Sequence, residues 1–213
     1  IKPTIGCKQE NLFKYLIFNK KPNNEIDFGF SKKKYLRYYY KCKLCGHLTA
    51  KHKKYFFDKL YEDLYFESTY KTLIELTKTF NKIKKLPSFK SDNYHRIKRI
   101  KKRIRLTFKK EKVDILDVGS GIGIFPIKMI NTKFNISAIE PAKISANFIK
   151  MKSKSKIKVI NGDFLKIKIN KLKKYNLITF NKVLEHVEKP RAFLNKSLKL
   201  LKDKNLIYVE VPD

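Results

Sequence analysis

The segment Val113-Asp-Ile-Leu-Asp-Val-Gly-Ser-Gly-Ile-Gly123 decides the fold of this chain. A short apolar run ends in Asp117, glycines follow at positions 119, 121 and 123, and a helical pattern comes next. This order predicts a buried parallel strand that leads into a tight turn. Glycine suits such a turn because it adopts backbone angles that a Cβ disfavours and lets the backbone approach a ligand closely.

Strands and helices alternate over the rest of the chain. The predicted strands are Val113–Val118, Asn135–Ile139, Ile157–Ile160, Tyr175–Phe180 and Leu206–Val211. The predicted helices between them are Ile124–Asn131, Ala142–Met151 and Arg191–Leu201. Short connections between alternating elements predict an α/β fold with a doubly wound, Rossmann-like parallel sheet. Ligands of such sheets bind at the carboxyl ends of the strands, where the strand order reverses.

Acidic side chains stand at the ends of these strands. Glu140 follows the second strand, about twenty residues after the glycine turn, a spacing that lets its carboxylate accept hydrogen bonds from both hydroxyls of a ribose. Asp163 ends the third strand, where it can accept a hydrogen bond from an adenine amino group, and Phe164 can stack on the ring. Asp117 can bind a ligand ammonium or orient the glycine turn. The alternative for Asp163 is a surface turn residue, and the alternative for the glycines is turn geometry without a ligand.

A set of motifs resembles the class I S-adenosylmethionine-dependent methyltransferases. The motifs are Asp117–Gly123, Ile139-Glu-Pro141, Asn161-Gly-Asp-Phe164, Tyr175–Pro190 and Leu206–Pro212. The segment Val183-Leu-Glu-His-Val187, followed by Pro190, is similar to the branch of the family that acts on small molecules. The glycine pattern differs from the Gly-x-Gly-x-x-Gly of nicotinamide dehydrogenases, which asks for glycine where Ile124 stands.

The resemblance implies a role for each matching residue. Gly119, Gly121 and Gly123 would line the methionine part of S-adenosylmethionine, Glu140 would hold its ribose, Asp163 and Phe164 would frame its adenine, and Asn181 would lie near the reacting centre. The family's sheet has seven strands, whereas five are predicted here, so we expect a sheet that is incomplete at its C-terminal end.

Glu185 and His186 have two interpretations. In the first, His186 is a general base, because histidine exchanges protons near neutral pH. In the second, the pair caps a helix, fixes the loop and lines the pocket. The sequence leaves both open.

The basic composition has two explanations as well. Lys and Arg number 51 against 19 Asp and Glu, which gives a formal net charge of +32. The arginines are few, namely Arg37, Arg96, Arg99, Arg103, Arg105 and Arg191. Because arginine makes the bidentate contacts to phosphate and bases, a lysine excess predicts solvated faces rather than a nucleic-acid surface. The alternative is a nucleic-acid contact through the basic run Arg96–Arg105.

The apolar and cysteine content bears on location. No apolar run approaches the ~18 residues that a membrane span needs, and no signal-peptide pattern is present. Three cysteines do not make a disulfide framework, which is consistent with a reducing cytoplasm.

Tyr40-Lys-Cys-Lys-Leu-Cys-Gly-His47 has the form of a zinc knuckle. Cys42 and Cys45 can bind one metal ion, Cys7 is the candidate third ligand, and His47 or His52 is a candidate fourth. The alternative is a knuckle without metal. A cysteine knuckle ahead of a methyltransferase domain is similar to the C-methyltransferases of deoxysugar biosynthesis, which act on nucleotide-linked sugars.

Together these observations predict three regions. Residues 1–55 are an irregular zinc-binding region. Residues 56–110 are a helical connector with helices around Asp58–Tyr65, at Thr69–Lys84 and after Ser91. Residues 111–213 are a cofactor-binding domain. We expect a methyltransferase for a small molecule, a nucleotide-linked sugar in particular. The alternatives are an RNA or DNA methyltransferase and a non-catalytic cofactor-binding fragment.

Overall fold

The computed structural model of this protein describes residues 9–20, 35–52, 72–109 and 111–212. The helix predicted around Asp58–Tyr65 lies outside these ranges. In the described parts of the chain, the strands form one three-stranded and one five-stranded sheet. In those same parts, no helix is both long and apolar enough to cross a membrane.

The N-terminal region contains an antiparallel sheet, so the prediction of an irregular region was wrong. Its strands are β1 (Leu12–Phe18), β2 (Arg37–Cys42) and β3 (Leu48–His52), in the order β1-β2-β3. The central strand carries three consecutive tyrosines between basic residues. Aromatic residues favour strands because they pack well on a pleated surface, and here Tyr38 and Tyr40 pair with residues of both neighbours.

Two helices precede the second sheet, α1 (Leu73–Lys85) and α2 (Asp92–Phe108). The side chains of Thr72 and Ser91 cap them by accepting hydrogen bonds from backbone N–H groups of the first turn. Both helices were predicted, although α1 begins later and ends one residue later than expected. The chain leaves α1 at Leu86, directly before a proline that disfavours further helix.

The second sheet is parallel and alternates with helices, as predicted. Its elements are β4 (Val113–Val118), α3 (Ile124–Met129), β5 (Phe134–Glu140), α4 (Lys143–Lys152), β6 (Lys158–Asn161), β7 (Tyr175–Asn181), α5 (Pro190–Lys199) and β8 (Leu201–Glu210). The spatial order is β6-β5-β4-β7-β8. From β4, the chain therefore adds β5 and β6 on one side of the sheet and then β7 and β8 on the other. The strand order reverses between β4 and β7.

Helices cover both faces of this sheet. Ile115 of β4 packs with Phe108, Met129 and Ile149 from α2, α3 and α4. The next residue, Leu116, points to the opposite face and packs with Phe193 of α5. Successive side chains of the strand thus pack into two apolar layers, one on each face of the sheet, as in a doubly wound fold.

Helix α2 belongs to this α/β unit. Ile100, Ile104 and Phe108 are buried in the same apolar cluster as Ile115 and Leu177 of the sheet. The domain boundary predicted at residue 111 therefore falls inside a packed unit. The sequence did not show this, because the amphipathic pattern of a helix does not reveal what its apolar face covers.

Candidate functional site

The three glycines of the turn between β4 and α3 have two different roles. All three glycines have positive φ, which is +71° at Gly119, +55° at Gly121 and +78° at Gly123. A Cβ at Gly119 would lie 2.7 Å from Val183, and one at Gly123 would lie 2.7 Å from Ile149 of α4. A Cβ at Gly121 would meet nothing within 4 Å. The first and last glycines thus allow close packing, whereas Gly121 faces open space.

Glu140, at the carboxyl end of β5, is bound to the glycine turn. Its Oε2 accepts a hydrogen bond of 2.7 Å from the N–H of Gly121, and its Oε1 accepts one of 3.0 Å from the N–H of Ala142. The residue is 6% exposed. Burial raises the pKa of this carboxyl to about 7, although the two backbone hydrogen bonds oppose the shift. The structure therefore brings together two residues that the sequence placed in one site.

Asp117 and Asn181 also meet directly. Asp117 Oδ1 accepts hydrogen bonds from Thr179 Oγ1 at 2.7 Å and from Asn181 Nδ2 at 2.8 Å, across the point where the strand order reverses. Burial raises the pKa of Asp117 to about 6, against the effect of these hydrogen bonds. In the described part of the chain, Asn181 Oδ1 is buried without a hydrogen-bond partner. This acceptor is available to a donor from a ligand.

Asp163 begins a turn beside the end of β5. The preceding Gly162 donates its N–H to the carbonyl of Glu140 at 3.1 Å, and Asn161 Nδ2 donates to the same carbonyl at 2.9 Å. Asp163 Oδ1 accepts a hydrogen bond of 2.7 Å from the N–H of Leu165. The ends of β5 and β6 are thus tied together, and the two predicted acids belong to neighbouring strand ends.

Phe164 does not occupy the position that the sequence predicted. Its ring is 2% exposed and packs on Phe180 and Phe193, with ring centroids 6.1 and 5.5 Å away. The side chain belongs to the buried apolar cluster that also contains Phe193 of α5. The prediction that it stacks on adenine is therefore corrected to a core role, since the buried ring has no free face.

Glu185 and His186 lie in a single 3₁₀ turn, Leu184–His186, after β7. The His186 side chain is 54% exposed, and its Nε2 lies 3.8 Å from Glu185 Oε1. That separation exceeds a hydrogen bond. The structure therefore leaves His186 accessible to a substrate and leaves both interpretations of the pair standing.

An ion-pair cluster at the end of β8 was missed at the level of sequence. The buried Arg96 of α2 donates to Glu210 Oε1, while Glu210 Oε2 accepts from Arg99 at 3.0 Å and from Tyr208 Oη at 2.6 Å. Although burial opposes it, these hydrogen bonds hold the pKa of Glu210 at about 2. The sequence did contain a signal for this cluster, because Glu210 is an acidic residue at the carboxyl end of the last predicted strand.

Of the two knuckle cysteines, Cys42 is the last residue of β2 and Cys45 lies in the turn between β2 and β3. Gly46, at φ +71°, donates its N–H to the carbonyl of Cys42 at 2.9 Å. Cys42 is buried and Cys45 is exposed. Within the described ranges, no group of three His, Cys, Asp or Glu residues could hold a metal ion. Cys7 lies outside these ranges, and zinc binding stays a prediction.

The strand order and the helices on both faces define a doubly wound, Rossmann-like α/β domain, and comparison with known families names its class. A family model described as Methyltransferase domain matches residues 89–213. The chain belongs to this family. The match begins ahead of α2, in agreement with the packing of that helix. Among proteins of curated function, no sequence matches the chain.

Solved structures share this fold at low identity. The plantazolicin methyltransferase BpumL, in complex with a monoazolic desmethylPZN analogue and SAH, is 20% identical with a TM-score of 0.52, over 67% of this chain and 55% of that one. A methyltransferase from Clostridium acetobutylicum, described as S-adenosylmethionine-dependent, is 17% identical with a TM-score of 0.54, over 63% and 56%. An amino pentose methyltransferase from Micromonospora echinaspora is 16% identical with a TM-score of 0.51, over 59% and 53%. This chain spans about half the length of these structures.

Proposed function

We propose that this chain binds S-adenosylmethionine at the strand ends described above and transfers its methyl group to a small molecule. The observation that carries the proposal is the hydrogen bond between Glu140 Oε2 and the N–H of Gly121. It joins a carboxylate at the end of one strand to a glycine turn at the end of the next, and the turn faces open space at that point. Doubly wound folds that bind nucleotides use this combination of an acid and an approachable glycine turn.

The residues present suit this cofactor. The open side of Gly121 admits the methionine part, and each Glu140 oxygen keeps a lone pair for a ribose hydroxyl after accepting its backbone hydrogen bond. Asp163 uses one oxygen within its turn and offers the other to the adenine amino group. Asn181 Oδ1, buried and without a partner in the described residues, can accept from the amino group of the methionine part.

When bound, the cofactor supplies an electrophilic methyl group on a positively charged sulfur. The contribution of the protein is to hold the acceptor in line with that methyl group and to keep water away. Asp117 fixes Asn181 through a 2.8 Å hydrogen bond and so sets the floor of the site. His186, exposed after β7, is the candidate to take the proton that an oxygen or carbon acceptor loses. Glu185 is the candidate to orient it.

For the acceptor we propose a nucleotide-linked sugar. Support comes from the similarity of the knuckle and the Val183–Val187 segment to sugar methyltransferases, and from a structural neighbour described as an amino pentose methyltransferase. The nucleic-acid alternative is weaker, because Arg96 is engaged with Glu210 inside the α/β unit. A cytoplasmic location and the division into a zinc-binding region and a cofactor domain are parts of the same proposal.

Calorimetric titration with S-adenosylhomocysteine, the demethylated form of the cofactor, tests the site. Glu140→Ala and Asp163→Ala should each weaken binding about tenfold or more, since each removes a carboxyl group that accepts hydrogen bonds from the ligand. Asp203→Ala is the matched control, because Asp203 is an exposed acid at the opposite end of the sheet. Unchanged affinity in both site variants would overturn the assignment.

A further inference from the structure

The turn that follows β6 is held at its first residue by Asp163. The carboxylate accepts from the N–H of Leu165 at 2.7 Å, and the Asp163 carbonyl accepts from the N–H groups of Lys166 and Ile167 at 3.1 Å each. Three successive N–H groups thus converge on Asp163, as at the start of a helix. The carbonyl groups of the turn consequently point the other way, and they need partners there.

Lys196 of α5 supplies these partners. Its Nζ donates to the carbonyl oxygens of Phe164 and Ile167 and, at 3.1 Å, to that of Leu165. An ammonium group has three donors, and this one uses all of them on a single turn. The same Nζ lies 5.1 Å from the centroid of the Phe164 ring, whose face stabilises a cation.

The charges of this arrangement match the dipole of the turn. A carboxylate lies at the end with the N–H groups, and an ammonium lies at the end with the carbonyl groups. Burial lowers the pKa of Lys196, and the charge of Asp163 acts against that shift, so the two groups interact electrostatically through the turn. The position of the Asp163 carboxylate therefore depends on a cation from a different element.

We propose that Lys196 is a positioning residue for adenine recognition, since its ammonium fixes the turn that presents the Asp163 carboxylate to the amino group of the base. This inference rests on the proposed function. It assigns Lys196 no contact with the cofactor and no part in methyl transfer. Its effect is confined to how well the site distinguishes an amino group from another substituent at that position of the purine.

The test compares two ligands that differ at this substituent. S-adenosylhomocysteine carries the amino group, whereas S-inosylhomocysteine carries an oxygen that repels a carboxylate. The wild-type chain should prefer the first by about tenfold or more, because the wrong partner leaves Asp163 without a donor. Asp163→Ala should bring this preference close to one. Lys196→Met, which keeps the length of the side chain but removes its donors, should do the same.

Two further variants complete the design. Lys199→Met makes the same change at an exposed lysine of α5 and should keep the wild-type preference. Lys196→Gln keeps polar donors without the charge. If Lys196→Met does not fold, the ratio of the affinities of Lys196→Gln for the two ligands tests the role of the ammonium group instead. In the double variant of Asp163→Ala with Lys196→Met, the preference should fall no further than in either single variant.

Each outcome is decisive. A preference that collapses at position 196 and persists in Lys199→Met supports the inference. A normal preference in the Lys196 variants overturns it, and so does an equal loss of affinity for both ligands, which would indicate a structural role alone. If the wild-type chain binds neither ligand, the proposed function fails and the inference fails with it. That result is distinct from wild-type binding with an unaffected Lys196 variant.

Discussion

Gly121 and Gly123 are two residues apart in the same turn, yet replacing each with alanine should mainly affect cofactor binding at the first and stability at the second. Gly123→Ala should destabilise the fold, because its Cβ would lie 2.7 Å from Ile149 Cγ1 and 3.3 Å from Ile127 Cδ1. Ile149 is fully buried and has no room to withdraw. Gly121→Ala should leave the fold nearly intact and weaken cofactor binding, because its Cβ would project into the open side of the turn.

The sizes of these effects follow from the geometry. An alanine at positive φ costs about 1 kcal/mol or somewhat more at either position. Overpacking against Ile149 adds about 2 kcal/mol at position 123. Gly123→Ala should therefore lose about 3 kcal/mol, or roughly 6–12 °C in Tm, and Gly121→Ala about 1 kcal/mol, or roughly 2–4 °C. The smaller conformational freedom of the unfolded alanine chain benefits both variants equally.

Thermal unfolding and calorimetric binding of S-adenosylhomocysteine separate the two effects. Gly121→Ala should bind about tenfold more weakly or worse while it unfolds close to the wild-type temperature. Equal stability of the two variants would refute the assigned packing of Gly123. Wild-type affinity in Gly121→Ala would refute the assignment of the open side of the turn to the cofactor.

The remaining predictions concern buried carboxyl groups and the aromatic core. Glu140, with a folded pKa of about 7, binds more protons in the native than in the unfolded state, so urea-unfolding stability should fall as pH rises from 5 to 8. Glu140→Gln should flatten this fall by roughly 3 kcal/mol, and an unaltered pH dependence would contradict the burial of that charge. Glu210→Gln should cost about 3 kcal/mol at pH 7, since it leaves Arg96 buried without its anion. Because the folded pKa of Glu210 is about 2, this contribution to stability should be fully present above the ordinary pKa of a glutamate. It should disappear as the pH falls towards 2, in the same unfolding assay. Phe164→Leu should lower stability by about 1–2 kcal/mol and leave S-adenosylhomocysteine affinity within about twofold, whereas a large loss of affinity would restore the stacking role.

The parallel sheet was predictable because several sequence signals agree. The apolar run Val113–Val118 became β4 with the same ends, and the glycines behind it adopt the positive φ that a strand-to-helix turn requires. Glu140 could be placed beside that turn because the carboxyl ends of adjacent parallel strands share an edge. Local pattern and global topology give the same answer here.

Contacts between distant parts of the chain were not predictable in this way. Lys196 and Arg96 are two of many basic residues, and nothing in their local pattern distinguishes them from solvated lysines. Their partners are carbonyl groups and a carboxylate more than 25 residues away in the sequence. Phe164 was misplaced for a related reason, since its local sequence does not reveal that Phe180 of β7 and Phe193 of α5 pack against its ring. The tyrosine-rich strand β2 pairs with β3 directly after the cysteine turn and with the more distant β1. It was missed because the cysteines and turn signals of this region were interpreted as irregular structure.

The central claim is that one nucleoside touches the ends of β4, β5 and β6 together. Its most direct test is a titration of the ¹⁵N-labelled chain with S-adenosylhomocysteine, followed at the amides of Gly121, Ala142 and Leu165. These amides donate to the carboxylates of Glu140 and Asp163, so they report on both acids. If one nucleoside contacts all three strand ends, the three signals should move with one common Kd. Signals that stay in place at saturating ligand, or that move with different affinities, would contradict the central claim.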